Sequence, residues 1–451
     1  MTILRSAAVG AALALTLGAC SSGTTSSETP AGESSAPESA SITLWLAGGD
    51  TPDALREYLT TEFENENPGS TLVIEQQDWG DLVTKLTTAL PDANNTPDVV
   101  ELGNTQSPTF TNVGAFLDIS DMYDELGGDK LLPSFVEAGA VDGANYTLPY
   151  YFGSRYMFYR ADVWAEAGVS VPTTLAEFNE AVVTIAEANP RDIANFSGFF
   201  LGGQDWRNAI SWIFANGGDL ATKVDGQWVS TLSDPSSIEG LTQLQEIWAK
   251  ASNAPADAKD QSPWLYINDT DSATNEDSST TDTSLAAATI MAPGWAHWSI
   301  GDLEVVDDKP VRTWNDETFG TFVLPGVDGG AAPVFAGGSN IGISATSQHP
   351  ELATSLMRIV FSPEYQQMLG ENGLGPANSD YMSSLGDDQF ATALIESASN
   401  SQLTPAAPGW AAVEGSGLLE EFFSKVSQGG DITALAAEYD EKITPLLNGV
   451  G

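Results

Sequence analysis

The chain has 451 residues, 42% of them hydrophobic, which is enough for a large core and two or three domains' worth of fold. Its 16 Lys and Arg against 62 Asp and Glu give a formal charge of −46, a surface that repels nucleic acid and anionic headgroups and excludes both as direct ligands. A single cysteine, Cys20, excludes an intramolecular disulfide, so the core alone must hold the fold.

The first element is an apolar run from Ala7 to Ala19, too short to span a bilayer and preceded by one basic residue, Arg5. It ends in Leu17-Gly18-Ala19-Cys20, the layout of a bacterial lipobox. Small residues admit the signal peptidase, and the Cys20 sulfur takes a diacylglyceryl chain. The other reading of Cys20 is a small buried hydrophobe. Residues 21–40, which are Ser, Thr, Glu, Pro, Ala and Gly, offer nothing to bury it. We therefore expect a lipoprotein signal peptide over 1–20 and a flexible tether over 21–40.

Ser41 to Leu46 reads as a strand ending at Gly48-Gly49-Asp50. A helix should follow, with Thr51 as its cap, Pro52 at its first position, and Leu55, Tyr58, Leu59 and Phe63 on one face. Asn67-Pro68-Gly69 stops it. Leu72–Gln76 and Asp98–Leu102 read as strands, separated by a helix marked by Leu82, Val83, Leu86 and Leu90. This alternation predicts βαβ units and a mostly parallel sheet. Thr174 and Glu177 form a capping box ahead of Leu175, Phe178, Val182 and Ile185. Asp234-Pro235 opens another helix through Leu241, Leu244 and Trp248. Asn268 to Ser284 is an acidic, Ser/Thr-rich loop. Phe319–Val323 and Asn340–Ile343 are strands, and helices fill the tail from Glu414 onward.

The chemistry-bearing residues exclude most enzyme classes. There are two histidines, His297 and His349, and Cys20 is already assigned, so a His/Cys metal cluster is not available. No serine sits in a Gly-x-Ser-x-Gly elbow, and neither a phosphate loop nor a Gly-x-Gly-x-x-Gly follows the first strand. Asp269 and Asp271 lack the twelve-residue calcium-loop spacing. We expect no cofactor and no metal. Paired carboxylates remain the one enzyme reading open.

Tryptophan is frequent, at 12, and several sit beside glycines at element ends: Trp79, Trp206, Trp295 and Trp410. A ring placed by a turn can lie flat against a sugar while amides and carboxylates take its hydroxyls. Core packing is the competing reading for each. Trp295 and Trp410, in Pro/Gly-rich loops, lean toward a cleft. Trp45, Trp164, Trp212 and Trp248 fall in periodic patterns and read as core.

Ordered blocks carry a family resemblance: Trp79-Gly80-Asp81, Thr96-Pro97-Asp98-Val99-Val100, Tyr146 to Tyr151, Met157 to Asp162, Gly217-Gly218-Asp219-Leu220, Phe335 to Ser344, and Ser362-Pro363-Glu364-Tyr365-Gln366. With the lipobox and tether, they resemble the extracellular solute-binding proteins, family 1, of carbohydrate ABC importers. Gly103-Asn104-Thr105-Gln106 and Thr404 to Trp410 are similar to the branch that takes up N,N′-diacetylchitobiose. The resemblance implies an α/β, two-lobed periplasmic-binding-protein-like fold (type II) with the ligand cleft between the lobes. It implies lobe 1 over 41–149, lobe 2 over 150–334, a return to lobe 1 over 335–378, and C-terminal helices on lobe 2 over 379–451. It implies Asp50, Asn104 and Gln106 as hydroxyl or amide partners, and Tyr151, Trp206, Trp295 and Trp410 as stacking platforms. Gly338, Ser339 and Asn340 would supply close backbone and amide donors. A tight turn is the other reading of the glycines, and helix capping that of Asn104 and Gln106.

The expectation is thus a monomeric receptor for a neutral saccharide, not a catalyst. It would be lipid-anchored at Cys20 to the outer face of the cytoplasmic membrane and would dock on the transmembrane subunits of an ABC permease. A surface-anchored glycoside hydrolase and a non-catalytic surface adhesin are the alternatives.

Overall fold

A computed structural model describes residues 39–259, 263–268, 285–306 and 309–449. Cys20, the signal segment, nearly all of the tether and the acidic segment 269–284 lie outside the described residues.

Nine strands carry the architecture: β1 (Ser41–Ala47), β2 (Thr71–Gln77), β3 (Val99–Gly103), β4 (Thr147–Gly153), β5 (Arg155–Arg160), β6 (Thr289–Pro293), β7 (Phe319–Phe322), β8 (Gly337–Ile343) and β9 (Gly375–Pro376). Among the described residues the largest sheet has six strands in the order β9-β4-β8-β3-β1-β2. β1 runs parallel to β2 (Leu44 opposite Ile74) and to β3 (Leu44 opposite Val99). β8 is antiparallel to both β3 and β4, with a register shift between Ser339 and Asn340. A second sheet, β6-β5-β7, is antiparallel throughout. The expected mostly parallel sheet is therefore confined to β2-β1-β3. Only β8, which returns from the other lobe, enters against β3 in the reverse direction; β4, on its far side, runs the same way as β3 and leads out of the lobe, and β9 is antiparallel to β4.

The two sheets centre the two lobes. Only Ser154 separates β4 in the first sheet from β5 in the second. The chain crosses back between β7 and β8, and after β9 it enters helix Gln389–Ser399, which lies against the second sheet.

Local physics explains the elements. Along β1 the side chains alternate: Ile42, Leu44 and Leu46 are buried, while Trp45 is half-buried on the opposite face. Trp45 is thus at the margin rather than in the core, and its Nε1–H donates to Glu75 at 2.9 Å. Helix Asp53–Glu66 buries Leu55, Leu59 and Phe63, spaced four apart, against Leu352, Leu356 and Met357. It starts one residue later than expected and carries no side-chain cap. Thr51 is buried and its hydroxyl meets the Tyr150 hydroxyl at 3.0 Å, so it cannot turn toward the helix. The capping box is formed by Thr174 and Glu177 at the start of helix Leu175–Ala188. Trp164, Phe178, Trp212, Trp248, Phe422 and Tyr439 share the core of the second lobe.

Candidate functional site

A cleft of about 920 Å³ opens between the lobes. The first lobe contributes the loops beyond the carboxyl ends of β1 and β2, the usual ligand position in open α/β sheets. Asp50 follows β1 and Trp79 follows β2. One oxygen of Asp50, Oδ2, accepts both the Trp79 Nε1–H at 2.9 Å and the Tyr151 hydroxyl at 3.0 Å. The carboxylate is thereby oriented by two donors. Burial, with Glu101 and Asp50 nearby, holds the Tyr151 phenol protonated, so it remains a donor.

Gly337 and Gly338 form the floor where β8 passes Tyr151. Gly338 has φ +134°, and an added Cβ would stand 2.4 Å from the Tyr151 carbonyl oxygen. Only glycine fits there. Beneath the floor lies Glu101 on β3, fully buried. Its Oε2 accepts the Ala47 amide at 2.8 Å and its Oε1 accepts the Ser339 hydroxyl at 2.6 Å. Burial outweighs both hydrogen bonds and pushes the carboxyl up to about 8.

The second lobe contributes Trp264, Trp295 and Trp298. Residues Gly294–Ser299 form a 3₁₀ turn. Three residues per turn bring positions i and i+3 into line, so Trp295 and Trp298 project from one face. They are 56% and 74% exposed, in contrast to the buried cores of both lobes. Trp264 meets Trp295 edge-on with centroids 4.9 Å apart. Between the two, His297 stacks on Phe390 at 4.3 Å, and its Nδ1 lies 2.7 Å from the Gly294 carbonyl. Burial lowers the His297 pKa, which favours the neutral ring. Among the described lining residues Asp50 is the only anion and Arg155 the only cation. The Arg155 guanidinium donates to Asn208 Oδ1 at 3.1 Å and faces the Phe335 ring.

Of the residues expected at the site, Asp50, Tyr151, Trp295 and Gly338 line this cleft together. Ser339 and Asn340 are fully buried beneath it. Ser339 bonds Glu101, and the Asn340 amide donates to Phe135 O and Thr147 Oγ1. Asn104 is also buried; its Nδ2 donates to Ala336 O at 2.8 Å, tying the β3 loop to the returning chain. Gln106 stands at the start of helix Ser107–Asn112 without capping it; its side-chain oxygen accepts the Gly103 amide.

Trp206 and Trp410 correct the expectation of open platforms. They are 1% and 0% exposed and meet edge-on inside the second lobe. Trp206 lies one layer behind the wall, against Phe335. Pro408-Gly409 is not a cleft turn: a Cβ on Gly409 would stand 1.8 Å from Leu446 O, so the glycine permits helix packing. Trp264, Trp298 and Arg155 were missed, and Trp79, singled out beside Gly80 as a ring that could meet a sugar, was not among the expected site residues. The spacing of three between Trp295 and Trp298 was a usable signal for one of them. No local pattern marks Trp264 or Arg155.

Among the described residues no group of three His, Cys, Asp or Glu side chains could hold a metal, and no helix is long and apolar enough to cross a membrane.

Two lobes joined by crossing strands over an aromatic cleft define a solute-binding protein of the two-lobed α/β type. The family model for bacterial extracellular solute-binding proteins matches residues 48–367, and the chain belongs to that family. It is 29% identical over 376 residues, 83% of this chain and 81% of the relative, to the diacetylchitobiose binding protein DasA of Streptomyces coelicolor. The fold is similar to the sugar-binding protein MalE of Xanthomonas citri, with a TM-score of 0.72, 19% identity and coverage of 90% of this chain and 97% of that one. It is also similar to the GacH receptor of Streptomyces glaucescens, with a TM-score of 0.68, 19% identity and coverage of 91% and 99%.

Proposed function

We propose that this protein captures an uncharged saccharide of two or more rings and hands it to the permease of an ABC importer. The observation that carries the reading is the cleft itself: exposed Trp295 and Trp298 line it together with a carboxylate whose Oδ2 is already held by Trp79 and Tyr151. Indole faces suit the apolar faces of sugar rings, and the remaining oxygen of Asp50 suits a hydroxyl. One anion and one cation in a cleft this large favour a neutral ligand. The likeness to a diacetylchitobiose binding protein supports N,N′-diacetylchitobiose as the first sugar to test.

In this reading the lobes are residues 41–153 with 335–378, and 154–334 with 379–451; the first boundary moves from the expected 149 because β4 stays in the first sheet through Gly153. Sugar bridging both would favour the closed form through its better fit to that form. Asn104, Gln106, Ser339 and Asn340 shape the cleft from behind. Cys20 carries the lipid anchor, and the monomeric receptor works outside the cytoplasmic membrane. Mass spectrometry of the mature protein and release by Cys20→Ser test the anchor.

Thermal unfolding with a panel of disaccharides, amino sugars included, tests the ligand. A true ligand stabilises the fold by mass action, by about 2.7 kcal/mol at a hundredfold excess over Kd, and so raises the midpoint. The sugar should be recovered intact. No shift with any carbohydrate refutes the reading, and slow release of reducing ends would establish the hydrolase instead.

A further inference from the structure

The turn that carries Asp50 is tied to β4 at two points. Tyr151 donates to the Asp50 carboxylate at 3.0 Å. One residue along on each segment, the Thr51 hydroxyl meets the Tyr150 hydroxyl, also at 3.0 Å. Two adjacent side-chain bonds thus join the dipeptide Asp50-Thr51 to the dipeptide Tyr150-Tyr151. The second bond continues inward. The Tyr150 hydroxyl meets that of Tyr365 at 2.6 Å, and the two rings stack with centroids 6.3 Å apart. Tyr365 lies on helix Pro363–Glu371, and the residues just after that helix, Asn372, Gly373 and Leu374, line the cleft. Thr51, Tyr150 and Tyr365 are all buried.

We propose that Thr51, Tyr150 and Tyr365 are positioning residues: their hydroxyl chain is the second arm of a clamp that fixes the direction of the Asp50 carboxylate in the cleft. A carboxylate held from β4 by one bond can pivot about it. A second bond, one residue away on both partners, fixes the peptide between residues 50 and 51 against the sheet, so the acceptor is ordered before a sugar arrives. Arg56 grips the same turn, donating to the carbonyls of Thr51 at 2.8 Å and Gly48 at 3.4 Å. It stands on the helix that the turn begins, so it sets the shape of the turn and not its place against β4. The Trp79 bond to Asp50 comes from the loop after β2. The hydroxyl chain is what anchors the turn in the core of the first lobe, where Tyr150 and Tyr365 pack.

The proposal rests on this cleft being the solute site, and its test has readouts with and without sugar. Y150F keeps the ring and severs both hydroxyl contacts. Calorimetry with N,N′-diacetylchitobiose should show affinity about tenfold weaker than wild type, the net worth of about one hydrogen bond. Lost stability does not by itself change Kd while the chain stays folded, which thermal unfolding monitors. The loss must pass through Asp50, so Y150F added to D50A should change Kd by less than about twofold. Affinity of Y150F within twofold of wild type overturns the proposal, and so does a further tenfold loss in the double variant. If the sugar does not bind wild type, that ligand falls and the clamp is decided without it. The Trp79 indole N–H, which donates to Asp50, is followed by NMR in the sugar-free chain and assigned with W79F. In Y150F its resonance should shift and its exchange with solvent quicken; an unmoved signal overturns the clamp. Should Y150F fail to fold, T51V cuts the Thr51–Tyr150 contact and leaves Tyr150 paired with Tyr365, and the same readings decide.

Discussion

Replacing Trp298 by Ala separates the two roles a tryptophan can play. A Trp side chain presents up to about 250 Å², so at 74% exposure roughly 185 Å² of Trp298 is open to solvent. A sugar ring stacked on one face covers about half of that, ~90 Å². At ~25 cal/mol per Å² this contributes about 2 kcal/mol, a ~30-fold change in Kd. Trp295, 56% exposed, gives by the same reasoning ~70 Å² and about 1.7 kcal/mol, near 20-fold. Neither ring is part of a core, so W298A should change unfolding free energy by no more than about 0.5 kcal/mol. Titration calorimetry with a sugar that binds wild type, alongside thermal unfolding, reads both quantities. Affinity within twofold of wild type in both W295A and W298A would refute the stacking argument. A large loss of stability in W298A would refute the exposure on which it rests.

Trp410→Ala should behave in the opposite way: the ring is fully buried against Trp206, so the cost is about 3–5 kcal/mol of stability, read as a lowered melting temperature. Asp50→Ala removes an acceptor held by Trp79 and Tyr151 and should weaken sugar binding by about 1.5–3 kcal/mol, measured by calorimetry. Gly338→Ala forces a Cβ to 2.4 Å from the Tyr151 carbonyl at φ +134°, and should lower the melting temperature and abolish binding together; normal unfolding with normal affinity would contradict the geometry of the floor. Glu101 also sets a pH dependence of stability. Its folded pKa is raised from 4.5 to about 8, so across that window the folded state holds a proton that the unfolded state has released. Its contribution is full below the unfolded value and is lost as pH rises through the folded one, at up to about 1.4 kcal/mol per pH unit. Denaturant titrations should show this slope in wild type and its absence in E101Q.

Local pattern was sufficient where one element's own chemistry decided the outcome. The strands at 41–47, 71–77 and 99–103, the four-residue spacing of Leu55, Leu59 and Phe63, and the Thr174–Glu177 box were all legible because alternation, helical period and capping act within a few residues. Pattern was misleading where the partner lay far along the chain. Thr51 has the chemistry of a cap, but Tyr150, 99 residues away, holds its hydroxyl. β8 reads as a strand, yet its antiparallel entry between β3 and β4 depends on the chain returning from the second lobe.

The same division runs through the cleft. Sequence alone determined that this is an acidic, tryptophan-rich α/β chain with the ordered blocks of its family. The family resemblance carried by those blocks also marked Asp50, Tyr151, Trp295 and Gly338, which line the cleft together. Which tryptophans face solvent was decided only by the tertiary structure. Trp295 and Trp410 both follow Pro-Gly, but one glycine opens a 3₁₀ turn at the lip and the other lets a helix close against the carbonyl of Leu446. A dipeptide specifies how its backbone bends. Whether the ring that follows meets water or a packed core depends on what the rest of the chain brings to that spot, and that information is spread over residues hundreds of positions apart.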